Sequence, residues 1–131
     1  MDDILFFVVG AHLSGMPLNL ELQNLHATLV RETRTALDYK LFVLPNSSPP
    51  KPGLVRSPGS VGPGILGEVW SLSREAFGTF VAKIPAPLGI GKVTLADGNQ
   101  VSGFLCEAYA VADAADITAL GSWRRYISGG V

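Results

Sequence analysis

Ile4–Val9 is an unbroken apolar run rich in β-branched and aromatic residues, and it stops abruptly at Gly10-Ala11-His12-Leu13-Ser14-Gly15. The pattern predicts a buried strand that feeds a tight, glycine-bracketed turn. Beyond Pro17, Leu18, Leu20, Leu22, Leu25, Leu29 and Val30 recur at roughly helical spacing, with polar residues between them, and predict a helix over Asn19–Thr33. His26 falls inside it and reads as a surface or boundary histidine. Tyr39–Pro45 is a second strand candidate. The stretch 46–64 holds Pro49, Pro50, Pro52, Pro58 and Pro63 together with Gly53, Gly59, Gly62 and Gly64, so it cannot be one regular element. Its Leu54-Val55-Arg56 still has room to be a short strand.

Ile65–Leu72 is a third strand candidate. Ser73-Arg74-Glu75 is a helix-start signal, and Ala76–Ile84 follows as a short helix with Phe77, Phe80, Val81 and Ile84 on one face. Ala96-Asp97-Gly98-Asn99 between Lys92–Leu95 and Gln100–Cys106 is a strong hairpin signal. The second arm is expected to run on through Glu107 and the apolar residues after it, with Glu107 exposed or at an edge. A last helical segment is anchored by Trp123, Tyr126 and Ile127, and the four C-terminal residues are expected to fray. The element order predicts an α+β fold, a small mixed β-barrel with flanking helices, as one domain over residues 1–131.

Bulk properties narrow the function. The chain has 131 residues, 47% of them hydrophobic and only 16% charged, with a net charge of −1. That composition supports a compact core and gives no basic footprint for nucleic acid. The excess apolar surface also suits a docking face for another domain or subunit. The single cysteine, Cys106, leaves no internal disulfide and fits a reducing compartment. No apolar run reaches the length of a membrane span, and Met1-Asp2-Asp3 lacks the basic start of a signal peptide. A cytoplasmic protein with a natural start at Met1 is therefore expected, with no membrane partner.

Two histidines and one cysteine, without paired ligand spacing, draw no metal site, and no cofactor is expected. GAHLSG is not a dinucleotide or Walker fingerprint. Ser14 lies only two residues from His12 and lacks the nucleophile elbow of serine hydrolases. What remains is an anion site. The backbone amides of Gly10, Ala11, Leu13, Ser14 and Gly15 would form a concavity around a small anion, with Lys51 and Arg56 reaching in from the proline-rich loop. His12 is the group suited to moving a proton near neutral pH, or else a structural histidine bonded across the turn.

Five segments carry a specific likeness: LFFVVGAHLSGMPLN, PPKPGLVR, IPAPLGIGKVTLADG, VSGFLCEA and DITALGSWRRYI. Together they resemble, in order and over nearly the whole chain, the C-terminal domain of allophanate hydrolase. The resemblance implies a gamma-glutamylcyclotransferase-like fold and a role in urea-derived nitrogen metabolism. It also implies that His12, in the family's GAH motif, promotes decarboxylation of N-carboxycarbamate, a small dicarboxylate. Tyr39 and Ser14 would then position its second carboxylate, and a separately encoded amidase would be a partner. No amidase signature appears in the chain, so amide hydrolysis does not carry over. AKIPAPLGIG lacks the glutamate that cyclotransferases of this fold carry there. Two other readings stand beside this one: a non-catalytic accessory module docking on an amidase, and a cyclotransferase-fold enzyme acting on another substrate.

Overall fold

The computed structural model describes residues 3–129. The apolar run at the start forms strand β1 (Ile4–Val8), the middle strand of a five-stranded sheet. Burial on both faces explains why it reads as a continuous hydrophobic run rather than an alternating one. Helix α1 (Asn19–Asn24) follows the turn, then strands β2 (Thr28–Arg34), β3 (Tyr39–Val43), β4 (Pro52–Arg56) and β5 (Leu66–Leu72). Helix α2 (Arg74–Ala82), strands β6 (Leu88–Thr94) and β7 (Gln100–Cys106), helix α3 (Ala108–Val111), the short strand β8 (Ala115–Asp116), a 3-10 turn at Thr118–Leu120 and helix α4 (Trp123–Ile127) complete the chain.

The larger sheet has the order β2-β5-β1-β7-β6, and the smaller one β4-β3-β8. β1 pairs antiparallel with β5 and parallel with β7, so the sheet is mixed, as the alternation of hairpins and helices predicts. Gly53 of β4 leans on β7, where an added Cβ would meet Cys106 Sγ at 3.0 Å. The expected barrel does not close. The two edges of the larger sheet meet at a single bridge, Thr35 to Leu95, flanked by hydrogen bonds from Ala36 N–H to Thr94 C=O and from Ala96 N–H to Arg34 C=O. The right-handed twist of the strands brings the edges together there, but no ladder continues from that point.

Two further expectations change, and the short strand allowed for at Leu54-Val55-Arg56 is present and longer. The predicted long helix is six residues of helix and then a strand. His26 takes a left-handed φ of 61°, Ala27 N–H returns to Leu22 C=O, and the chain leaves α1 to become β2. The β-branched Thr28, Val30 and Thr33 suit that edge strand better than a helix. Pro52–Arg56 is a strand paired residue for residue with β3. Finally, β7 stops at Cys106, and the exposed Glu107 stands at the N-cap position of α3 instead of inside a strand. Helix α2 keeps its predicted cap, with Ser73 Oγ accepting the Ala76 N–H. Its Phe77 and Phe80, with Phe104 of β7, pack edge-on around Phe6 at centroid distances of 5.9, 5.2 and 5.0 Å. Of the four C-terminal residues expected to fray, Gly130 and Val131 lie outside the described residues.

Candidate functional site

The turn after β1 is fixed at both ends. Gly10 lies under Pro52 of β4, whose ring atoms would overlap any added Cβ, so the first glycine serves close packing. Gly15 takes φ 78° in open space and supplies the change of direction. Between them Leu13 and Ser14 spend their amides inside the protein, and the amides of Met16 and Leu18 beyond turn back onto it. Leu13 N–H bonds to Gly10 C=O, Met16 N–H to Leu13 C=O and Leu18 N–H to Ala11 C=O. Ser14 N–H donates to Glu68 Oε1 at 2.8 Å, and the Ser14 hydroxyl donates to the same oxygen at 3.1 Å. Of the five anticipated amides, those of Leu13 and Ser14 are therefore taken up by the fold itself. Leu13 is core, and Gly10 and Ala11 border a narrow crevice with His12, Lys51 and Phe104.

Glu68 is the fastener of this turn. It is 4% exposed and also accepts from Trp70 Nε1 at 3.1 Å, while Arg124 of α4 donates to its Oε2 at 3.2 Å. The same Arg124 nitrogen donates to Ser14 C=O at 2.6 Å. These donors give both oxygens of the buried carboxyl group hydrogen-bond partners. Neither Glu68 nor Arg124 stands out in the sequence as a partner of the GAHLSG turn.

His12 is buried between two aromatic rings, 5.2 Å from the centroid of Phe80 and 5.0 Å from that of Phe104. Its Nε2 lies 2.7 Å from Glu21 Oε1 of α1. Because a carboxylate only accepts, neutral His12 carries its proton on Nε2, and Nδ1 is the atom left to exchange one. Burial pushes the imidazole below its ordinary pKa. The hydrogen bond and charge of Glu21 pull it back part of the way, and the nearby Lys51 ammonium adds to the depression. Glu21 follows His12 by nine residues, across the turn and the start of a helix, so no fixed-spacing motif reveals the pair.

His12 and Glu21 border a cleft of about 400 Å³. Its walls are mainly apolar, from Leu18, Leu25, Phe80, Ile84, Leu88 and Phe104, and its cations are Lys51 and Lys83. Lys51, one of the two cations of the proline-rich loop, lines this cleft beside His12. Lys83, just past α2, is the cation the sequence did not single out. The structure places Tyr39 and Arg56 elsewhere. Tyr39 is core, and its hydroxyl accepts the Thr94 N–H at 2.8 Å. Arg56 lies over the Tyr39 ring and donates to Asp38 at 3.0 Å and to Thr94 at 3.0 Å. It stands four residues beyond Pro52 on an extended strand, about 13 Å further from the turn. Among the described residues no group of three or more His, Cys, Asp or Glu side chains could hold a metal ion. Among the described residues no helix is long and apolar enough to cross a membrane.

Two sheets with helices on them, the larger one centred on β1, make an α+β fold of the gamma-glutamylcyclotransferase-like class. A solved gamma-glutamyl cyclotransferase superposes with a TM-score of 0.59 at 18% identity, covering 81% of this chain and 68% of that one. Sequence likeness is more specific: the family model described as the allophanate hydrolase C-terminal domain matches residues 4–128, and the chain belongs to that family. A urea amidolyase of Lachancea kluyveri is 42% identical over 129 residues, which are 96% of this chain and 7% of that protein. The structure of Kluyveromyces lactis allophanate hydrolase matches with a TM-score of 0.93 and 40% identity over 98% of this chain and 21% of that one. A uropathogenic E. coli-specific protein matches at TM-score 0.89 and 34% identity, over 98% of both chains. The chain thus spans a small part of the urea amidolyase and allophanate hydrolase it resembles, and nearly all of the third.

Proposed function

We propose that this domain binds a small dicarboxylate, N-carboxycarbamate, in the His12 cleft and promotes its decarboxylation in urea- and allophanate-derived nitrogen metabolism. The carrying observation is buried His12, hydrogen-bonded to the exposed Glu21, at a cleft that also presents Lys51 and Lys83. Family membership supports the metabolic setting.

The chemistry balances with one proton. The dianion takes a proton on nitrogen, the C–N bond to one carboxylate breaks, and its electron pair stays on nitrogen. Carbon dioxide and carbamate result. The two ammonium groups offset the two carboxylates. An arriving dianion raises the depressed imidazole pKa, so His12 takes up a proton as the substrate binds and delivers it as the bond lengthens. Glu21 accepts from Nε2–H and stabilises the imidazolium formed on the way. The apolar walls exclude water and strengthen these charge interactions. Ser14 acts here through Glu68, as part of the frame that holds the turn.

The test compares carbon dioxide release from freshly generated N-carboxycarbamate with the protein, with His12→Asn and with buffer. Faster release with the protein alone supports the reading, and equal rates in all three refute it.

An accessory role is the second reading, favoured by the relatives in which this domain is 7% or 21% of a longer chain. The edge strand β2 exposes Leu29 and Val30 for such docking on an amidase. It predicts co-purification of an amidase that β2 charge substitutions abolish. A cyclotransferase reading draws on Glu21, a carboxylate that faces the cleft, and predicts 5-oxoproline from gamma-glutamyl amines.

A further inference from the structure

A second cleft of about 450 Å³ lies beside the first, and Ser48, Lys51, Pro85 and Leu88 line both. Its own walls add Leu44, Pro45 and Pro87, the exposed ring of Tyr109 on α3, and the Asp113 carboxylate. The decarboxylation chemistry uses none of these.

Lys51 is held in place by its backbone. Its N–H donates to Ser47 Oγ at 3.0 Å, and its C=O accepts from Leu44 N–H at 3.1 Å. Among the described residues no carboxylate lies within ion-pair distance of its ammonium, whereas Arg31, Arg56 and Arg124 are each paired. The second cleft therefore offers an uncommitted cation, a carboxylate and an apolar wall of proline, leucine and tyrosine. A bare dianion would satisfy the lysine and be repelled by Asp113. A bare amine would do the reverse.

We infer that the second cleft binds a small zwitterion of the amino-acid class with an aliphatic side chain, its carboxylate on Lys51 and its ammonium on Asp113. Because the same Lys51 serves the His12 cleft, occupancy of one cleft withdraws the cation from the other. The two ligands are negatively linked, and the linkage is reciprocal. The zwitterion site stands without the decarboxylation reading, and only its effect on the His12 cleft draws on that reading.

The experiment follows backbone and aromatic NMR resonances of the intact protein. L-Leucine is the probe. Isocaproate, which lacks the amine, and isoamylamine, which lacks the carboxylate, are the controls, and malonate stands for the dicarboxylate. Leucine is expected to shift Tyr109 and Ala110, with each control weaker by about tenfold or more. Asp113→Asn is expected to weaken leucine and spare malonate, and Lys51→Met to weaken both. Saturating leucine is expected to raise the apparent Kd of malonate, read at Phe80 and Phe104. No leucine-dependent shift at Tyr109, or controls that bind as well as leucine, overturns the zwitterion site. Independent binding of leucine and malonate overturns the linkage. Failure of malonate to move Phe80 and Phe104, with leucine still shifting Tyr109, refutes the dicarboxylate reading and supports the zwitterion site.

Discussion

Glu68 grips Ser14 twice, accepting its backbone N–H at 2.8 Å and its hydroxyl at 3.1 Å through one carboxylate oxygen. Fifty-four residues separate the two in sequence. Arg124 closes the arrangement from α4, bonding to both Glu68 and the Ser14 carbonyl. Glu68→Ala would leave buried donors from Ser14 and Trp70 unpaired. It is expected to cost roughly 2–4 kcal/mol, below the largest values for broken buried pairs because Arg124 is partly open to solvent. Urea denaturation measures this, and a loss below about 0.5 kcal/mol would show that the clamp is unimportant.

His12 makes stability depend on pH. Its folded pKa lies below the ordinary value of 6.5, so the unfolded chain binds the proton more readily. The contribution is whole above about pH 6.5, and it is lost as pH falls from there through the folded value. Stability is thus expected to rise with pH across this window, and His12→Asn to flatten the rise. Midpoints in urea at a series of pH values, for the two proteins, check the sign.

Glu21 acts on the same group in the opposite direction to burial. Glu21→Gln removes the charge that favours the imidazolium and leaves only a neutral amide oxygen to accept from Nε2–H, so the His12 pKa is expected to fall further. Under the decarboxylation reading, carbon dioxide release falls with it, most at the alkaline end of the profile. An NMR titration of the imidazole reads the first effect independently of the second.

The two glycines of the turn are predicted to fail for different reasons. Gly10→Ala drives a methyl into Pro52 and should cost about 1–3 kcal/mol through overpacking between the turn and β4. Gly15→Ala meets no neighbour, and its cost, about 1–2 kcal/mol, comes from the left-handed backbone alone. Gly15→Asn should recover part of that loss, because asparagine tolerates this region, and Gly10→Asn should not. Thermal unfolding of the four variants separates the two causes.

These residues also show what the sequence made legible. Ile4–Val9, the Ser73 cap and the hairpin around Asp97-Gly98 each carry a local signal, and each forms its element almost as read. The stretch after α1 misled because Leu25, Leu29 and Val30 satisfy a helical period. What ends the helix is a left-handed His26 and the pairing of β2 with β5, which is not local. The same holds at the site. His12 is marked by the glycines around it and Lys51 by its loop, but Glu21, Lys83, Glu68 and Arg124 join them only through tertiary packing. Arg56 and Tyr39 looked suited to an anion, yet strand register pairs them with each other and turns both to structural work.

The single bridge between Thr35 and Leu95 has a kinetic meaning. It joins segments sixty residues apart, and they can meet only after the five strands of the larger sheet are arranged. Contacts of such long range form after most loop entropy has been spent, on the native side of the folding barrier. Tyr39, whose hydroxyl accepts the Thr94 N–H beside that bridge, belongs to the same late event. Tyr39→Phe is therefore expected to speed unfolding several-fold while leaving the refolding rate nearly unchanged, a difference that stopped-flow chevrons resolve. The seam that keeps the sheet from being a full barrel would then set how long the folded chain lasts.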